Sequence, residues 1–335
     1  MASVGIIANP SAGKDIRRLV AQGRFVPNHE KINILKRVFV GLQAAGVKEV
    51  VMMPDMAGLG RSAMDDESYD FKFEFLDMPV FNDELDTIRA SRMMAERSVG
   101  CLVTLGGDGT NRATARHSGE IPLVPISTGT NNVFPYMVEG TLAGLAAGII
   151  ATRSICVDKA VTKSKAVEVY IDDEYVDIAL VDVAISKEIF VGSRAIWNMD
   201  TLHELILTRA EPSSIGLSAI GAQIKPTYME DDRGIHITFP DLASGITSSL
   251  CVRAPTGPGM ISSVDVSSWK LLQFGDRVEI TLLPCTVALD GERSISVRPN
   301  QKGYLVLTRN GPPVVSIDAA LREAAKSGIF ISSKD

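Results

Sequence analysis

The first 150 residues of the chain alternate between short apolar runs and segments whose apolar residues recur at helical spacing. The runs Val4–Ala8, Gly100–Leu105 and Ile121–Ile126 predict strands that are buried on both faces. Residues Lys31–Gly46 predict a helix, because their apolar side chains recur every three or four positions and the segment ends at a glycine. Strands that alternate with helices in this way indicate a parallel sheet covered by helices.

After about residue 154 the pattern changes to an alternation of apolar and polar residues with a period of two. The alternation is clearest in Val167–Ile171, Ile235–Phe239 and Ile295–Val297, and it predicts antiparallel strands with one face in water. Two segments with helical spacing also occur here, namely Ser193–Thr208 and Ile317–Lys326. We therefore expect a mainly β second half with a helix inside it and another helix at its end.

These patterns predict an α/β protein in which a Rossmann-like domain with a parallel sheet precedes a mostly antiparallel β-sandwich domain. We place the first domain at residues 1–153 and the second at residues 154–312. The remaining residues, 313–335, predict a tail helix that packs on the first domain.

Composition narrows the classes of function. The chain has 34 Lys and Arg against 40 Asp and Glu, a net charge of −6, which argues against binding to nucleic acid or to an anionic membrane surface. Its most apolar stretch, Thr141–Ala151, is too short to span a bilayer. The four cysteines share no metal-ligand spacing with the histidines: Cys101, Cys156, Cys251 and Cys285. We expect a cytoplasmic protein with reduced thiols, no membrane span and no metal site built from protein ligands.

The clearest chemical signal is the glycine-rich sequence LGGDGT at Leu105–Thr110, between a predicted strand and a predicted helix. Adjacent glycines let the backbone turn sharply and approach a ligand closely. The free N–H groups of such a turn and of the helix start favour phosphate binding. Because phosphate would repel Asp108, we expect this residue to face a metal ion, a sugar hydroxyl or a proton that is to be removed. A plain glycine turn with Asp108 in solvent is the alternative.

Two further polar loops follow predicted strands of the same sheet. Asn9–Lys14 (NPSAGK) follows the first strand, and Ser127–Asn132 (STGTNN) follows Ile121–Ile126. The first loop is not a Walker loop, since its glycine spacing differs and Asp15 stands where Ser or Thr is required. In a parallel sheet all three loops lie at the carboxyl edge, where open α/β sheets bind ligands. We therefore expect one binding site there.

In order, the motifs NPxxGK, GGDGT, GTNN with Phe134 downstream, and Asp290-Gly291-Glu292 resemble those of the NAD kinase and diacylglycerol kinase superfamily. Within it, the chain is most similar to the NAD-kinase-like acetoin-catabolism X proteins, over almost its whole length. The resemblance implies an NAD-kinase-like fold and a homo-oligomer. It also implies ATP-dependent transfer of phosphate to a hydroxyl of NAD or of a related small molecule, between the two domains.

The resemblance also implies roles for individual residues. Asp108 and Glu292 would be the catalytic acids, with ATP and its bound Mg²⁺ as cofactors. The residues that would bind ATP lie in the three loops: Asn9, Ser11, Gly13, Lys14, Gly106, Gly107, Gly109, Thr110, Gly129, Thr130 and Asn131. The residues that would contact the acceptor are Asn132, Asp182 and Asp290.

The sequence leaves the identity of the acceptor open. NAD kinases have an Asn-Glu pair at the start of the β domain, whereas Leu180–Ala184 contains only one acid, Asp182. Asp290-Gly291-Glu292 matches the lipid-kinase pattern instead, in which the glutamate is a proposed general base. The alternatives to NAD are a diacylglycerol or sphingoid lipid, another metabolite linked to acetoin catabolism, and a nucleotide sensor without turnover. Structural alternatives are an ion pair for Asp182, a β-hairpin turn at Asp290-Gly291 and a solvated edge carboxylate for Glu292.

Overall fold

The computed structural model describes residues 2–12, 22–23, 26–65, 68–129, 131–188, 199–241, 245–291 and 293–331. Four residues with expected roles lie outside the described residues: Gly13, Lys14, Thr130 and Glu292. The N-terminal half contains β1 (Ser3–Ala8), α1 (Asn28–Ala44), β2 (Glu49–Met52), α2 (Leu59–Met64), β3 (Lys72–Phe75), α3 (Glu84–Glu96), β4 (Cys101–Gly106), α4 (Asp108–Ala115), β5 (Leu123–Ser127) and α5 (Gly140–Ala151).

The C-terminal half is mainly β, with short 3₁₀ turns at Val157–Lys159 and Met199–Thr201. Its strands and helices are β6 (Val161–Lys163), β7 (Ala166–Ile171), β8 (Glu174–Ala179), β9 (Asp182–Ser186), β10 (Leu202–Leu207), α6 (Ser218–Ile224), β11 (Arg233–Thr238), β12 (Leu250–Gly257), β13 (Met260–Val266), β14 (Ser268–Gln273), β15 (Arg277–Glu279), β16 (Cys285–Leu289), β17 (Arg293–Val297), β18 (Gly303–Thr308), β19 (Pro313–Val315) and α7 (Ile317–Lys326).

In the described part of the chain, the first sheet has seven strands in the order β3-β2-β1-β4-β5-β19-β6. The strands from β3 to β19 run parallel, and β6 is antiparallel to β19. β1 and β4 are buried along their whole length, because α1 and α5 cover one face of the sheet and α3 covers the other. Burial on both faces explains why these strands are continuous apolar runs.

The apolar segment that is too short to span a bilayer forms α5, a helix that packs closely on α1. A Cβ atom on Gly41 would lie 2.3 Å from the Thr141 carbonyl oxygen, and one on Gly144 would lie 2.2 Å from that of Val38. Glycine at these positions therefore lets the two backbones touch. Among the described residues, no helix combines the length and the apolar character needed to cross a membrane.

The C-terminal strands form two facing antiparallel sheets. The described strands give one sheet in the order β14-β11-β10-β9-β16-β17 and a second in the order β15-β18-β7-β8. Apolar side chains of both sheets share one core, as Val169, Ile185, Val287 and Leu305 illustrate. The β12–β13 hairpin forms a separate two-stranded sheet that shares a core with β10 and β11. The parallel N-terminal sheet and the antiparallel C-terminal sheets confirm the predicted fold class.

The prediction of a helix at Ser193–Thr208 was wrong for the residues that the structure describes. Residues 199–201 form a 3₁₀ turn, and Leu202–Leu207 form β10, between β9 and β11. All six residues of β10 are buried, because the strand packs on one core through Ile206 and on another through Leu205. A strand that is apolar on both faces has no period of two, so its apolar positions fit a helix equally well.

The chain returns to the first sheet at its end. β19 pairs with β5 and β6, and α7 packs on α5, with Ala320 in the core of the first sheet. The Ser316 hydroxyl caps α7 by accepting a hydrogen bond from the Ala319 N–H at 3.3 Å, which satisfies a donor of the first turn. The two halves of the protein are therefore connected at more than one point.

Candidate active site

The three polar loops begin at one edge of the parallel sheet. β1, β4 and β5 are neighbours that run in the same direction, so their carboxyl ends lie side by side. The Asn9 N–H donates to the Leu105 carbonyl at 2.9 Å, and the Thr128 N–H donates to the Gly106 carbonyl at 3.2 Å. These hydrogen bonds join the starts of the loops, at the edge where open α/β sheets bind ligands.

Asn9 connects the first loop to the glycine loop. Its Nδ2 donates to the Thr110 hydroxyl at 3.0 Å, and its Oδ1 accepts from the Ser11 N–H at 2.8 Å. Ser11 itself is exposed. The asparagine therefore holds the first loop in a turn and ties that turn to the start of α4.

Lys31 is a residue of this edge that the sequence analysis missed. It lies in the first turns of α1 and is completely buried. Its ammonium group donates to the carbonyl oxygens of Asn9, Pro10 and Ala12 at 3.0, 3.0 and 2.9 Å. The available signal was its position three residues before buried Ile34, which places a lysine on the apolar face of the helix. Its contacts fix the carbonyl groups of the first loop.

The two adjacent glycines have close neighbours. A Cβ atom on Gly106 would lie 2.5 Å from the Thr110 side chain, and one on Gly107 would lie 2.8 Å from Asn132 Oδ1. Helix α4 begins directly afterwards at Asp108, and the N–H groups of a first helical turn have no carbonyl partner within the helix. The loop thus combines a compact backbone with donors suited to an anion.

Asp108 is buried at the start of α4. Its carboxylate accepts hydrogen bonds from the Val133 N–H, at 3.1 Å to each oxygen, and from the Phe134 N–H at 2.7 Å. Burial, together with the nearby negative charge of Asp290, raises the pKa of Asp108 to about 7. A carboxylate with this pKa is suited to accept a proton near neutral pH. The alternative of a solvated aspartate is wrong.

The third loop is folded around Ser127. The Asn132 Nδ2 donates to the Ser127 hydroxyl at 2.7 Å, and that hydroxyl donates to the Gly129 carbonyl at 2.8 Å. This arrangement places Asn132 Oδ1 beside Gly107, and Asn131 lines the cavity described below. The third loop therefore contacts the glycine loop from the side opposite to Asn9.

Asp290 and Asp182 come from the C-terminal half. The Asp290 carboxylate accepts the N–H groups of Leu180, Val181 and Asp182 at 2.9, 2.8 and 3.1 Å. Asp290 is buried, and burial raises its pKa above the usual range of an aspartate. Asp290-Gly291 does lie in the turn between β16 and β17, but its carboxylate is not solvated. The turn named as the structural alternative is therefore present, and the alternative of a solvated Glu292 lies outside the described residues.

One cavity brings these acids together. It has a volume of about 90 Å³, and Asp108, Asp182 and Asp290 all line it. The β12–β13 hairpin adds the hydroxyl-bearing residues Thr256 and Ser262, whose side-chain oxygens lie 2.6 Å apart. A volume of this size holds several water molecules but is smaller than the pockets that enclose whole drug-sized ligands. It fits the reacting end of a larger molecule.

An ion-pair network around a buried arginine lies one helical turn beyond Asp108, and no pattern in the sequence indicates its long-range partners. Arg112 of α4 donates from Nη1 to both oxygens of Asp177 in β8, at 3.1 and 3.2 Å. Nη2 of Arg112 donates to Glu84. Arg116 and Arg293 also approach Asp177, at 3.4 and 3.5 Å. The network therefore connects the glycine-loop helix to the β-rich half.

The described residues include no group of three or more His, Cys, Asp and Glu side chains arranged to hold a metal ion. Cys101 and Cys285 are buried free thiols, whereas Cys156 and Cys251 are exposed free thiols.

Three comparisons place the chain among known proteins. Residues 4–154 match the family model of the ATP-NAD kinase N-terminal domain, and residues 165–310 match that of the acetoin catabolism protein X C-terminal domain. The chain is 36% identical to "Acetoin catabolism protein X" of Cupriavidus necator over 340 residues, which cover 98% of this chain and 94% of that protein.

Among solved structures, two of a "putative diacylglycerol kinase" from Bacillus anthracis str. Sterne match 94% of this chain. One matches at 14% identity over 97% of its own length, with a TM-score of 0.41. The other matches at 13% identity over 98% of its own length, with a TM-score of 0.43.

Proposed function

Since this chain belongs to the acetoin catabolism protein X family and its N-terminal part matches the ATP-NAD kinase domain, we propose that it is an ATP-dependent phosphotransferase. The family resemblance expected from the motifs is confirmed. The acceptor is a hydroxyl of NAD, with NADP as product, or of a related small molecule. One observation carries the proposal: buried Asp108 of the glycine loop lines a cavity with Asp182 and Asp290 of the C-terminal half.

ATP binds along the three loops in this proposal. Two contacts between loops support one continuous binding surface: Asn9 with Thr110, and Asn132 with the space beside Gly107. Backbone N–H groups at the start of α4 bind the phosphates. The residues assigned to ATP are Asn9, Ser11, Gly13, Lys14, Gly106, Gly107, Gly109, Thr110, Gly129, Thr130 and Asn131.

Magnesium accompanies the nucleotide in this proposal. Carboxylate oxygens are ligands that Mg²⁺ favours, and Mg²⁺ commonly uses one or two of them together with substrate phosphates. Asp182 lines the cavity beside the glycine loop, so its carboxylate fits such an ion. When bound, Mg²⁺ supplies positive charge that neutralises the phosphates.

Asp108 acts as the general base. Its carboxylate removes the proton of the acceptor hydroxyl while the hydroxyl oxygen forms a bond to the γ-phosphorus of ATP. The bond from that phosphorus to the β–γ bridging oxygen breaks, and ADP leaves. The raised pKa of Asp108, about 7, supports this role because it matches proton transfer near neutral pH. Glu292 is proposed as the second catalytic acid.

The acceptor lies against the C-terminal half, where Asn132, Asp182 and Asp290 are assigned to it. The cavity also has an apolar side, which includes Val133 and Leu217. This apolar side favours a second candidate function, in which the acceptor is a diacylglycerol or sphingoid lipid with its hydroxyl at Asp108.

We also propose a cytoplasmic homo-oligomer. Its contacts would cover the exposed edge strand β14, and a monomeric mass in light scattering would contradict this arrangement.

The experiment that tests the function is a phosphotransfer assay with purified protein, Mg-ATP and a panel of acceptors. The panel contains NAD, NADH, acetoin and a short-chain diacylglycerol, and each reaction is followed by ADP release and by mass spectrometry of the acceptor. We expect a product heavier by one phosphate with NAD, and no product with the Asp108→Asn variant. Tight ATP binding without ADP release on any acceptor would contradict the proposal and favour a nucleotide sensor.

A further inference from the structure

Arg209 is a buried cation to which the proposed function assigns no role. It follows β10 in the C-terminal half and is 2% exposed. Its guanidinium carbon lies 5.1 Å from the centre of the Phe134 ring, and its Nη1 donates to the Tyr136 hydroxyl at 3.1 Å. Glu211 lies at the edge of ion-pair distance, 4.0 Å away. The guanidinium of Arg209 contacts the ring of Phe134 and hydrogen-bonds the hydroxyl of Tyr136. Together these contacts restrain the backbone from Phe134 to Tyr136.

The segment restrained by Arg209 is the one that holds the proposed base. Phe134 is almost fully buried, and its N–H donates to the Asp108 carboxylate at 2.7 Å. The neighbouring Val133 N–H donates to both Asp108 oxygens. At the other end of the segment, the Tyr136 carbonyl accepts from the Ser127 N–H at 2.9 Å. A short chain of contacts thus connects Arg209 to the Asp108 carboxylate.

We propose that Arg209 is a positioning residue for phosphotransfer: it holds the Val133–Tyr136 segment against Asp108 and supplies a positive charge to the acidic cavity. This inference rests on the proposed function, because it assigns Arg209 to the same site. Arg209 comes from the C-terminal half, whereas Asp108 and the segment come from the N-terminal half. Docking of the two halves therefore completes the environment of the base.

Charge gives Arg209 its second effect. Burial and the charge of Asp290 raise the pKa of Asp108, and the charge of Arg209 opposes that rise. The other charged groups near the cavity are Asp182, which lines it, and Arg112, whose charge interacts with Asp290. Without the Arg209 charge, the pKa of Asp108 rises further, and a smaller fraction of the base is ionised at neutral pH.

The test compares Arg209→Met, which removes the charge, with Arg209→Lys, which retains it. The Asp108 carboxylate is titrated directly by ¹³C NMR of protein labelled at aspartate, with Asp108→Asn identifying the signal. We expect Arg209→Met to move the Asp108 midpoint upward by about one pH unit and Arg209→Lys to move it by less than half as much. Circular dichroism and thermal melting check that both variants are folded.

Kinetics provide the second measurement, with the acceptor phosphorylated in the panel. Arg209→Met should lower kcat about fivefold at pH 7, because a smaller fraction of Asp108 is ionised, and should recover most of that loss at pH 9, while the Kd for ATP stays unchanged. Tyr136→Phe, which removes only the hydroxyl contact at a half-exposed side chain, keeps the test usable if Arg209→Met does not fold. It should lower kcat two- to fivefold without a change in the Kd for ATP.

An unchanged Asp108 midpoint in folded Arg209→Met overturns the inference, as does an unchanged kcat in Tyr136→Phe. Both results are distinct from failure of the proposed function. If wild-type protein phosphorylates no acceptor, the proposed function fails, whereas the Asp108 titration still measures what Arg209 does to that carboxylate.

Discussion

One buried carboxylate begins the helix that follows the glycine loop, and a second contacts that helix. The charges of the groups around them differ. Asp177 is fully buried and lies within ion-pair distance of Arg112, Arg116 and Arg293. Asp108 accepts main-chain N–H groups and has the negatively charged Asp290 as a neighbour. Burying a carboxylate costs free energy in both cases, but only Asp177 has several positively charged groups within ion-pair distance.

The difference separates a structural acid from a chemical one. A carboxylate among arginines holds two parts of the protein together. A carboxylate buried beside another acid holds a proton near neutral pH and lies beside a cavity that a substrate can enter. Asp108 lies in the first turn of the short helix α4, and Asp177 contacts Arg112 one helical turn further along it.

The largest effect is expected for Asp108→Asn, which should lose most of its turnover. Removal of a general base lowers turnover by a factor of about 10² to 10⁴. Binding of ATP should change little, because asparagine retains an oxygen that accepts from Phe134. The measurement is kcat and the Kd for ATP of the purified variant. Turnover above about a tenth of wild type would remove Asp108 from the chemistry.

The opposite result is expected for Asp177→Asn. The change leaves three arginines around a neutral group and should lower the free energy of unfolding by about 3–5 kcal/mol, measured by urea denaturation. The folded protein should keep turnover close to wild type. Asp318→Asn is the matched control, because its pair with Arg322 is exposed on α7 and should contribute no measurable stability. Loss of turnover in folded Asp177→Asn would break the comparison.

The glycine loop beside Asp108 gives the next effect in size. In Gly107→Val the new Cβ would lie 2.8 Å from Asn132 Oδ1, so the side chain must displace Asn132 or occupy the phosphate space. We expect ATP affinity to fall by about a hundredfold with little change in melting temperature. Isothermal titration calorimetry measures the affinity. Wild-type affinity in the folded variant would show that the glycine loop does not bind the phosphates of ATP.

The smallest expected effect is a pH dependence of stability that comes from Asp108. Its pKa is about 7 in the folded protein, against an ordinary value of 3.8. The folded state therefore holds more protons than the unfolded state between about pH 4 and 7, so stability contributed by this group falls as pH rises through that window.

Asp108→Asn removes this dependence, so its stability relative to wild type should rise between pH 4.5 and pH 7.5 by about 1–3 kcal/mol. Urea denaturation of both proteins at the two pH values measures the change. A relative stability of Asp108→Asn that is flat or falls with pH would show that burial does not hold a proton on Asp108.

The sequence predicted where the polar loops lie, but it did not predict which distant residues contact them. The parallel strands and the polar loops after β1, β4 and β5 follow from apolar runs and glycine motifs, which are local signals. The contacts of Lys31, Arg112 and Arg209 depend on residues far away in the chain, and no spacing rule predicts such contacts. β10 was predicted as a helix for a related reason, because burial on both faces comes from tertiary structure rather than from its own pattern.

Asp108 itself illustrates the same limit. Its motif indicated a role beside phosphate, but its burial depends on the segment at Val133 and on Asp290 from the turn after β16. Both are distant in sequence. Only the folded chain shows that a glycine-loop aspartate meets a second acid at one cavity.

The most direct test of the central claim is a crystal structure of the protein with Mg²⁺, a non-hydrolysable ATP analogue and the acceptor that the panel identifies. We expect the phosphates of the analogue to lie on Gly106–Thr110 and the acceptor hydroxyl to lie within hydrogen-bond distance of the Asp108 carboxylate. Asp177 should keep its ion pairs with the arginines. An acceptor bound away from Asp108, or a nucleotide bound away from the glycine loop, would contradict the central claim.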